Sequence, residues 1–147
     1  MDYATNPRAT YDYDILEILE AGLVLRGHEV KAIKTGKASI RGAYVKILDG
    51  QAWLMGATIA PYQPGNVPEN YQERADRKLL VSRRELNSLI GLTKTHGVAL
   101  VPLKLYGKGG LVKLSVGVAR GKKKYDKREA IKRKDIARSN ERGTYEG

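Results

Sequence analysis

Alternation between apolar and polar residues predicts a long strand near the start of the chain. Residues 11–25 begin as Tyr-Asp-Tyr-Asp-Ile with a period of two and continue with several Ile, Leu and Val residues. Gly22 within this strand indicates a bend, a bulge or a close approach of another backbone segment. A helix over residues 15–19 is the alternative, because apolar residues there also fall at i, i+1, i+3 and i+4.

A first hairpin is predicted by a turn dipeptide between two apolar runs. Asp49-Gly50 separates residues 39–48 from residues 52–59. This dipeptide suits the positive φ angles of a tight two-residue turn. Two adjacent antiparallel strands are therefore expected here.

A second hairpin is predicted between residues 99–106 and residues 111–119, on either side of the glycine-rich residues 107–110. The glycines do not form a nucleotide-binding loop, because the segment lacks a Gly-Lys-Ser/Thr ending and does not open a helix. The alternation places one set of apolar side chains on a common side: Leu103, Leu105, Leu114 and Val116.

Residues 27–33 are predicted to form a short helix. Its apolar residues Val30 and Ile33 are expected to face inward, and Glu29 is expected to face outward. The helix is expected to pack on the body of the domain through that apolar side.

Ser82 and Glu85 predict the start of another helix. In a capping box, Ser82 accepts a hydrogen bond from the Glu85 amide while the Glu85 side chain reaches back to the Ser82 amide. The helix is expected to end at Gly91. Residues 60–77, rich in Pro, Gly, Asn and Gln, are predicted to be a long surface loop of the kind that is often functional.

Together these elements predict a mainly β domain, most simply a small antiparallel OB-like barrel with short helices at its ends. Residues 1–10 are polar and contain Pro7, which predicts a flexible N-terminus. Residues 11–120 are predicted to form the barrel, and residues 121–147 a basic C-terminal tail that is disordered when free and helical when docked.

Charge distribution predicts a polyanionic partner. The 147 residues contain 27 Lys and Arg and 16 Asp and Glu, a net charge of +11. From Arg120 onward there are eleven basic and five acidic residues, so the last fifth of the chain carries +6 and the rest +5. A gradient of this kind is typical of nucleic-acid binding by a tail, with a basic patch on the body as a second contact.

The tail begins with residue types that suit RNA. Lys122, Lys123 and Lys124 can neutralise phosphates, and Tyr125 offers a flat face for an unpaired base. A solvated chain end would also be rich in lysine. The alternative of an interfacial membrane helix is disfavoured, because the tail has no wide apolar face.

No catalytic or metal-binding constellation is visible in the sequence. The chain has no cysteine, and His28 and His96 each stand alone, outside any metal-ligand spacing. We therefore expect no enzyme activity, cofactor or metal. The absence of cysteine, of a long apolar segment and of a signal peptide leads us to expect a cytoplasmic protein, and we expect it to be monomeric.

Several motifs stand in order between about residue 6 and about residue 138: Glu20-Ala21-Gly22-Leu23-Val24-Leu25, Gly27-x-Glu29-Val30-Lys31, Gly36-Lys37, Arg77-Lys78-Leu79-Leu80, Arg84-Glu85-Leu86 and Gly121-Lys-Lys-x-Tyr125-Asp-Lys-Arg128. Together they resemble the SmpB family, the SsrA-binding proteins of bacteria. The resemblance implies an OB-like barrel that binds the tRNA-like part of transfer-messenger RNA. It also implies delivery of that RNA to the vacant A site of a stalled ribosome, with the tail in the decoding centre and the empty mRNA channel.

The resemblance also implies roles for individual residues. Asn6, Glu20 and Leu80 match family positions linked to RNA binding. Tyr125 is expected to stack in the small-subunit decoding centre, next to a tail motif needed for accommodation that comprises Asp126, Lys127 and Arg128. The residues expected to contact phosphate are Lys31, Lys34, Lys37, Lys122, Lys123 and Lys124.

Two other functions remain open at this point. A general rRNA- or tRNA-binding protein with an OB fold would associate with ribosomes through the same basic surface. An RNA-modifying enzyme is a more distant alternative, because no cofactor loop or catalytic cluster supports it. Selective binding of transfer-messenger RNA over bulk tRNA would distinguish the function implied by the SmpB resemblance from that of a general RNA-binding protein.

Overall fold

The computed structural model describes residues 1–95 and 97–121. The tail after Gly121, and His96, lie outside the described residues. Three helices and nine strands are present in the described part: β1 (Asp2–Thr5), α1 (Arg8–Asp12), β2 (Tyr13–Leu23), α2 (Gly27–Lys34), β3 (Ala38–Ser39), β4 (Tyr44–Leu48), β5 (Gln51–Met55), β6 (Thr58–Ile59), β7 (Arg77–Leu80), α3 (Arg83–Thr93), β8 (Val98–Lys108) and β9 (Leu111–Gly121).

Antiparallel pairing closes the longer strands into a barrel. Six strands follow one another in the order β8-β4-β5-β7-β2-β9, and β9 pairs again with β8. Strand β1 adds to β8, while β3 and β6 form a small separate sheet. The closure is uneven, because β4 joins β8 through the single pair Val45 and Leu100. The predicted mainly β antiparallel fold is confirmed.

Apolar side chains fill the barrel, and two of the helices contribute to this core. Leu114, Val116 and Val118 of β9 are almost completely buried. Ile33 of α2 and Leu89 of α3 belong to the same cluster. The helices are therefore held in place by the core that they help to cover.

Both predicted hairpin turns are confirmed. Asp49 and Gly50 have φ angles of 51° and 69° and connect β4 directly to β5. Gly109 and Gly110 have φ angles of 58° and 79° and connect β8 to β9. Each loop therefore has two consecutive residues in the left-handed region. A turn with this backbone conformation matches the twist of the two strands that it connects.

The long strand predicted over residues 11–25 is confirmed over Tyr13–Leu23 as β2, whereas residues 11 and 12 belong to α1; the helical alternative over residues 15–19 is wrong. Pairing with β9 along nearly the whole strand supplies hydrogen-bond partners that override the local helical spacing. Gly22 marks a close approach, since a Cβ there would lie 3.3 Å from Cβ of Leu80. The bulge in β2 lies instead between Ile15 and Glu17.

Residues 1–10, predicted to be a flexible N-terminus, contain strand β1 and the start of helix α1. β1 pairs with β8, and the Asn6 amide donates to the Leu103 carbonyl oxygen at 2.9 Å. The Asn6 side chain donates to the Pro102 carbonyl oxygen at 3.0 Å. Backbone pairing with a distant strand leaves no apolar pattern in the sequence, which is why composition alone misses it.

Two local details also differ from prediction. Helix α3 continues through Gly91 to Thr93, although its capping box forms as expected, with the Glu85 amide donating to Ser82 Oγ at 3.1 Å. Leu103 does not share the side of Leu105, because a register shift between Pro102 and Lys104 interrupts the alternation. It packs instead in a small outer cluster with Ala9, Val101 and Ala119.

Helix α2 forms as predicted, but Glu29 faces inward rather than outward. Its side chain is 8% exposed and pairs with Arg77 of β7, which is 3% exposed. Glu29 Oε2 accepts from both Nη2 of Arg77 at 2.7 Å and Nε at 3.1 Å. Glu29 Oε1 accepts from the Arg26 amide at 2.9 Å and so caps the helix. A buried charge needs such a partner, which is provided by a strand 48 residues away.

The same ion pair organises the end of the long loop. Nη1 of Arg77 donates to the carbonyl oxygens of Glu73, at 3.1 Å, and of Ala75. The Tyr71 hydroxyl accepts from Nη2 of Arg77 at 3.2 Å and donates to the Ile59 carbonyl oxygen at 2.8 Å. Residues 60–76 are confirmed as a loop without helix or strand, yet their last part is fixed by these bonds.

Charge and burial oppose each other at this site. Burial alone would raise the pKa of Glu29, but the hydrogen bonds from Arg26 and Arg77 and the charge of Arg77 hold this pKa below its usual value. Burial raises the pKa of Tyr71, and the neighbouring Glu29 charge adds to that increase. Glu29 is thus an ionised carboxylate at neutral pH, matched to the guanidinium of Arg77.

Replacing Glu29 with Gln is expected to lower the free energy of unfolding by about 3–5 kcal/mol, because Arg77 would remain buried without a counter-charge. Urea denaturation at pH 7 measures this. The matched control is Asp2→Asn, which breaks the exposed pair of Asp2 with Lys104 and should change stability by less than about 1 kcal/mol.

Since the Glu29 pKa is lowered in the folded state, the contribution of Glu29 to stability is complete above the unfolded pKa and is lost as pH falls through the folded pKa. The variant should therefore lose less stability on acidification than the natural protein; an equal loss would contradict this role.

Candidate nucleic-acid interface

Glu20 is held on the outer surface of the barrel by residues from β8. The Tyr106 hydroxyl donates to Glu20 Oε2 at 2.5 Å, and Nζ of Lys108 donates to the same oxygen at 3.2 Å. Glu20 lies on β2 and is separated from β8 by β9, where it pairs with Ser115. Barrel closure thus brings together residues that are 86 positions apart in the sequence.

Electrostatics confirm that the carboxylate is ionised. The hydrogen bond from Tyr106 is the main cause that lowers the pKa of Glu20, and Lys108 and Lys113 lower it further. In return, burial and the Glu20 carboxylate raise the pKa of Tyr106 to about 12. The tyrosine hydroxyl therefore keeps its proton and acts as a donor at neutral pH.

One oxygen of this carboxylate is left for a ligand. Both hydrogen bonds reach Oε2, so Oε1 accepts none from the part of the chain described. An oriented carboxylate oxygen can accept from a base amino group or a ribose hydroxyl. The surrounding Lys104, Lys108 and Lys113 supply positive charge for phosphate, which Glu20 itself would repel.

Exposed apolar side chains lie two positions along β2 on either side of Glu20, one on β2 itself and one on β7. Ile18 is 62% exposed on β2, and Leu80 is 52% exposed on β7. Leu80 pairs with Gly22, which is two residues after Glu20 on β2. Exposed apolar side chains near a hydrogen-bonded carboxylate and several lysines are typical of a surface that binds a partner. These residues form the Glu20 surface, defined here as Ile18, Glu20, Leu80, Lys104, Tyr106, Lys108 and Lys113.

The structure places Leu80 opposite Gly22, two residues after Glu20, whereas Asn6 lies beside Pro102 and Leu103 of β8. Asn6 joins the N-terminal segment to β8 through its side-chain amide, as described above. This contact accounts for an asparagine there without RNA. Its proposed part in RNA binding remains a prediction.

The lysines of α2 and of the turn that follows it form a second basic group. Nζ of Lys31 and Nζ of Lys37 each lie 5.9 Å from the ring centroid of Tyr62. Lys37 also donates to the Tyr62 carbonyl oxygen at 2.9 Å, and Lys34 is exposed nearby on α2. The remaining predicted contacts lie outside the described residues: Lys122, Lys123, Lys124, Tyr125, Asp126, Lys127 and Arg128.

Tyr106, Lys104 and Lys108 were not anticipated by sequence reasoning. Their spacing at every second position of β8 places them on one side of the strand, and that signal was available. What the sequence lacks is the identity of the strand that faces them. Tyr62 likewise lies in the loop that was predicted to be functional, but nothing local connects it to Lys31.

Other kinds of site find no support in the described residues. Within residues 1–95 and 97–121, no three His, Asp or Glu side chains come close enough to hold a metal ion. Among the three described helices, none combines the length and apolar composition needed to span a bilayer.

Comparison with known proteins gives one consistent family. The family model described as SmpB protein matches residues 3–146. An SsrA-binding protein of Chloroflexus aurantiacus is 48% identical over 139 residues, covering 95% of this chain and 87% of the relative. An SsrA-binding protein of Geobacillus thermodenitrificans is 50% identical, covering 95% of this chain and 89% of the relative.

A solved structure agrees with these relatives. A chain from the structure described as "tmRNA-SmpB: a journey to the center of the bacterial ribosome" superimposes with a TM-score of 0.68. It is 41% identical, and the match covers 86% of this chain and 92% of that one. The similarity therefore extends over most of both chains.

Replacing Tyr106 with Phe is expected to raise the pKa of Glu20 toward its usual value, because the largest stabilising hydrogen bond to the carboxylate is lost. NMR titration of the Glu20 side chain measures this change. Tyr44→Phe, on an exposed tyrosine of β4, is the matched control and should leave the Glu20 titration unchanged. If Glu20 titrates identically in the Tyr106 variant, the hydroxyl does not hold the carboxylate.

Proposed function

The chain belongs to the SmpB protein family, and from this premise we propose that it binds the tRNA-like part of transfer-messenger RNA and takes part in trans-translation. It delivers this RNA to the A site of stalled ribosomes. We also propose that the protein is monomeric and cytoplasmic, and that it acts by binding rather than by catalysis.

One observation carries the RNA-binding part of this proposal. The Glu20 carboxylate is fixed by Tyr106 and Lys108 with Oε1 free, next to the exposed side chain of Leu80. Such a surface suits an unpaired or loop nucleotide, since the carboxylate selects donors on a base or ribose and the apolar groups cover flat base surface. The lysines around it supply the attraction to phosphate that is not specific for sequence.

The tail has a separate role in this proposal. Lys122, Lys123 and Lys124 contact phosphates, and Tyr125 stacks in the small-subunit decoding centre. Asp126, Lys127 and Arg128 complete the motif needed for accommodation, and the following residues occupy the empty mRNA channel. Supporting this division, β9 pairs with both β2 and β8, and all the strands in the described part of the chain precede the lysines.

Selectivity tests the assignment directly. A gel-shift titration with the host's own transfer-messenger RNA, at physiological salt and with bulk tRNA as competitor, should show tight binding that survives the competitor. The matched variant Glu20→Gln should lose affinity for this RNA more than for bulk tRNA, because it removes an acceptor and not a phosphate contact. Binding that bulk tRNA displaces would favour a general rRNA- or tRNA-binding protein.

Removal of residues 122–147 should separate binding from delivery. The barrel is expected to stay folded and to keep much of its RNA affinity, because it carries about half of the net positive charge. Peptide tagging on stalled ribosomes should be abolished in a reconstituted translation assay. As a control, circular dichroism and urea denaturation should match the full chain; a truncated protein that tags normally would contradict the role of the tail.

A further inference from the structure

A pocket of about 320 Å³ lies between the start of α2 and the loop that follows β6. Its wall includes His28 and Lys31 from the helix, and Tyr62, Gln63 and Asn66 from the loop. This volume is near the lower end for ligand pockets, and suits a single nucleotide better than a duplex. The lining combines a cation, an aromatic ring and two amide side chains, which together can contact phosphate, base face and base edge.

Tyr62 is the centre of this pocket. Lys31 and Lys37 both hold their ammonium groups 5.9 Å from its ring centroid, and Lys37 is further fixed by its hydrogen bond to the Tyr62 carbonyl oxygen. The Lys31 side chain is exposed, and its ammonium group makes no other polar contact within the described residues. An exposed cation on an aromatic face contributes only about two- to fivefold to an equilibrium. A stacked base contributes about five- to 150-fold, so a base can displace the Lys31 ammonium from the ring.

His28 provides a second, independent observation. Its Nε2 is buried and has no hydrogen-bond partner among the described residues. The ring packs edge-on against Tyr71, with centroids 4.9 Å apart. A buried polar atom without a partner is unfavourable in the free protein and calls for a functional explanation. A ribose hydroxyl or base edge bound in the pocket beside it would provide the partner.

We propose that this pocket binds one unpaired nucleotide of the RNA partner. The base stacks on Tyr62, the displaced Lys31 ammonium pairs with the nucleotide's phosphate, and the polar edge of the nucleotide is read by Gln63, Asn66 and His28. The proposal rests on the RNA-binding function proposed above. It adds a recognition site on α2 and its adjoining loop to the Glu20 surface.

Photochemical crosslinking locates the nucleotide. Two probes are used with the full chain: single-stranded hexauridylate carrying one 4-thiouridine, and the tRNA-like domain of the host's transfer-messenger RNA. Mass spectrometry of the hexauridylate adduct should place the crosslink within residues 27–37 or 61–68. A crosslink confined to other segments would overturn the pocket.

Matched substitutions test the chemistry of the pocket. Tyr62→Leu keeps an apolar side chain of similar bulk and should weaken binding of the tRNA-like domain about five- to 100-fold, whereas Tyr62→Phe should bind nearly as well as the natural chain. Tyr44→Leu, on an exposed tyrosine of β4, should have no effect. Equal losses in the Phe and Leu variants, with both folded, would exclude stacking.

Lys31 and His28 test the other two contacts. Lys31→Ala should reduce the slope of log affinity against log salt by about 0.7, while Lys46→Ala, an exposed lysine on β4, should not. His28→Phe keeps a flat ring beside Tyr71 and removes both nitrogens; it should weaken RNA binding without lowering the urea midpoint. An unchanged slope together with unchanged binding in the His28 variant would overturn the proposed contacts.

The two proposals fail in different ways. If the tRNA-like domain binds tightly and selectively but Tyr62→Leu does not weaken it, the nucleotide pocket is wrong and the proposed function stands. If the tRNA-like domain shows no selective binding, the proposed function is wrong. The hexauridylate crosslink then still decides whether the pocket takes a nucleotide.

Discussion

The buried pair of Glu29 and Arg77 is the contact on which the arrangement of this molecule depends most. It joins helix α2 to strand β7, and through the other donors of Arg77 it also fixes the end of the loop over residues 60–76. Burying two charges is unfavourable unless their hydrogen-bonding groups are satisfied, and here nearly every donor of the guanidinium has an acceptor. An apolar pair of the same size could fill the space but could not donate hydrogen bonds to the carbonyl oxygens of the loop.

Both proposed RNA contacts are connected to this pair. Strand β7 begins at Arg77 and ends at Leu80, which pairs with Gly22 two residues after Glu20. Helix α2 carries His28 and Lys31 on either side of Glu29, and the fixed loop supplies Tyr71 against His28. One buried ion pair therefore sets the position of the exposed groups at two separate places. This explains how the barrel can hold a long loop in a defined position.

The features that sequence reasoning predicted correctly depend on neighbouring residues. Asp49-Gly50 turns the first hairpin because of its own backbone preferences, and Ser82 with Glu85 caps α3 within four positions. The features that it missed depend on distant residues. Glu29 was expected to face solvent because nothing local reveals Arg77, and residues 2–5 form a strand only because β8 has a free side there. The same limit applies to the Glu20 surface, where Glu20 was predicted from resemblance but Tyr106 and Lys108 required the closed barrel.

Strand β9 extends to Gly121, the last residue that the structure describes before the basic segment, and its place in the sheet has a mechanical consequence. β9 is paired on both sides, with β2 through Tyr13 to Gly22 and with β8 through Val98 to Lys108. A pull on residue 122 along the strand axis loads these two ladders in shear, so that many hydrogen bonds share the force at once. A strand at the edge of a sheet, pulled in the same direction, would have only one such ladder to share the force. The pairing of β9 on both sides therefore distributes a load at its C-terminal end over two neighbouring strands of the barrel.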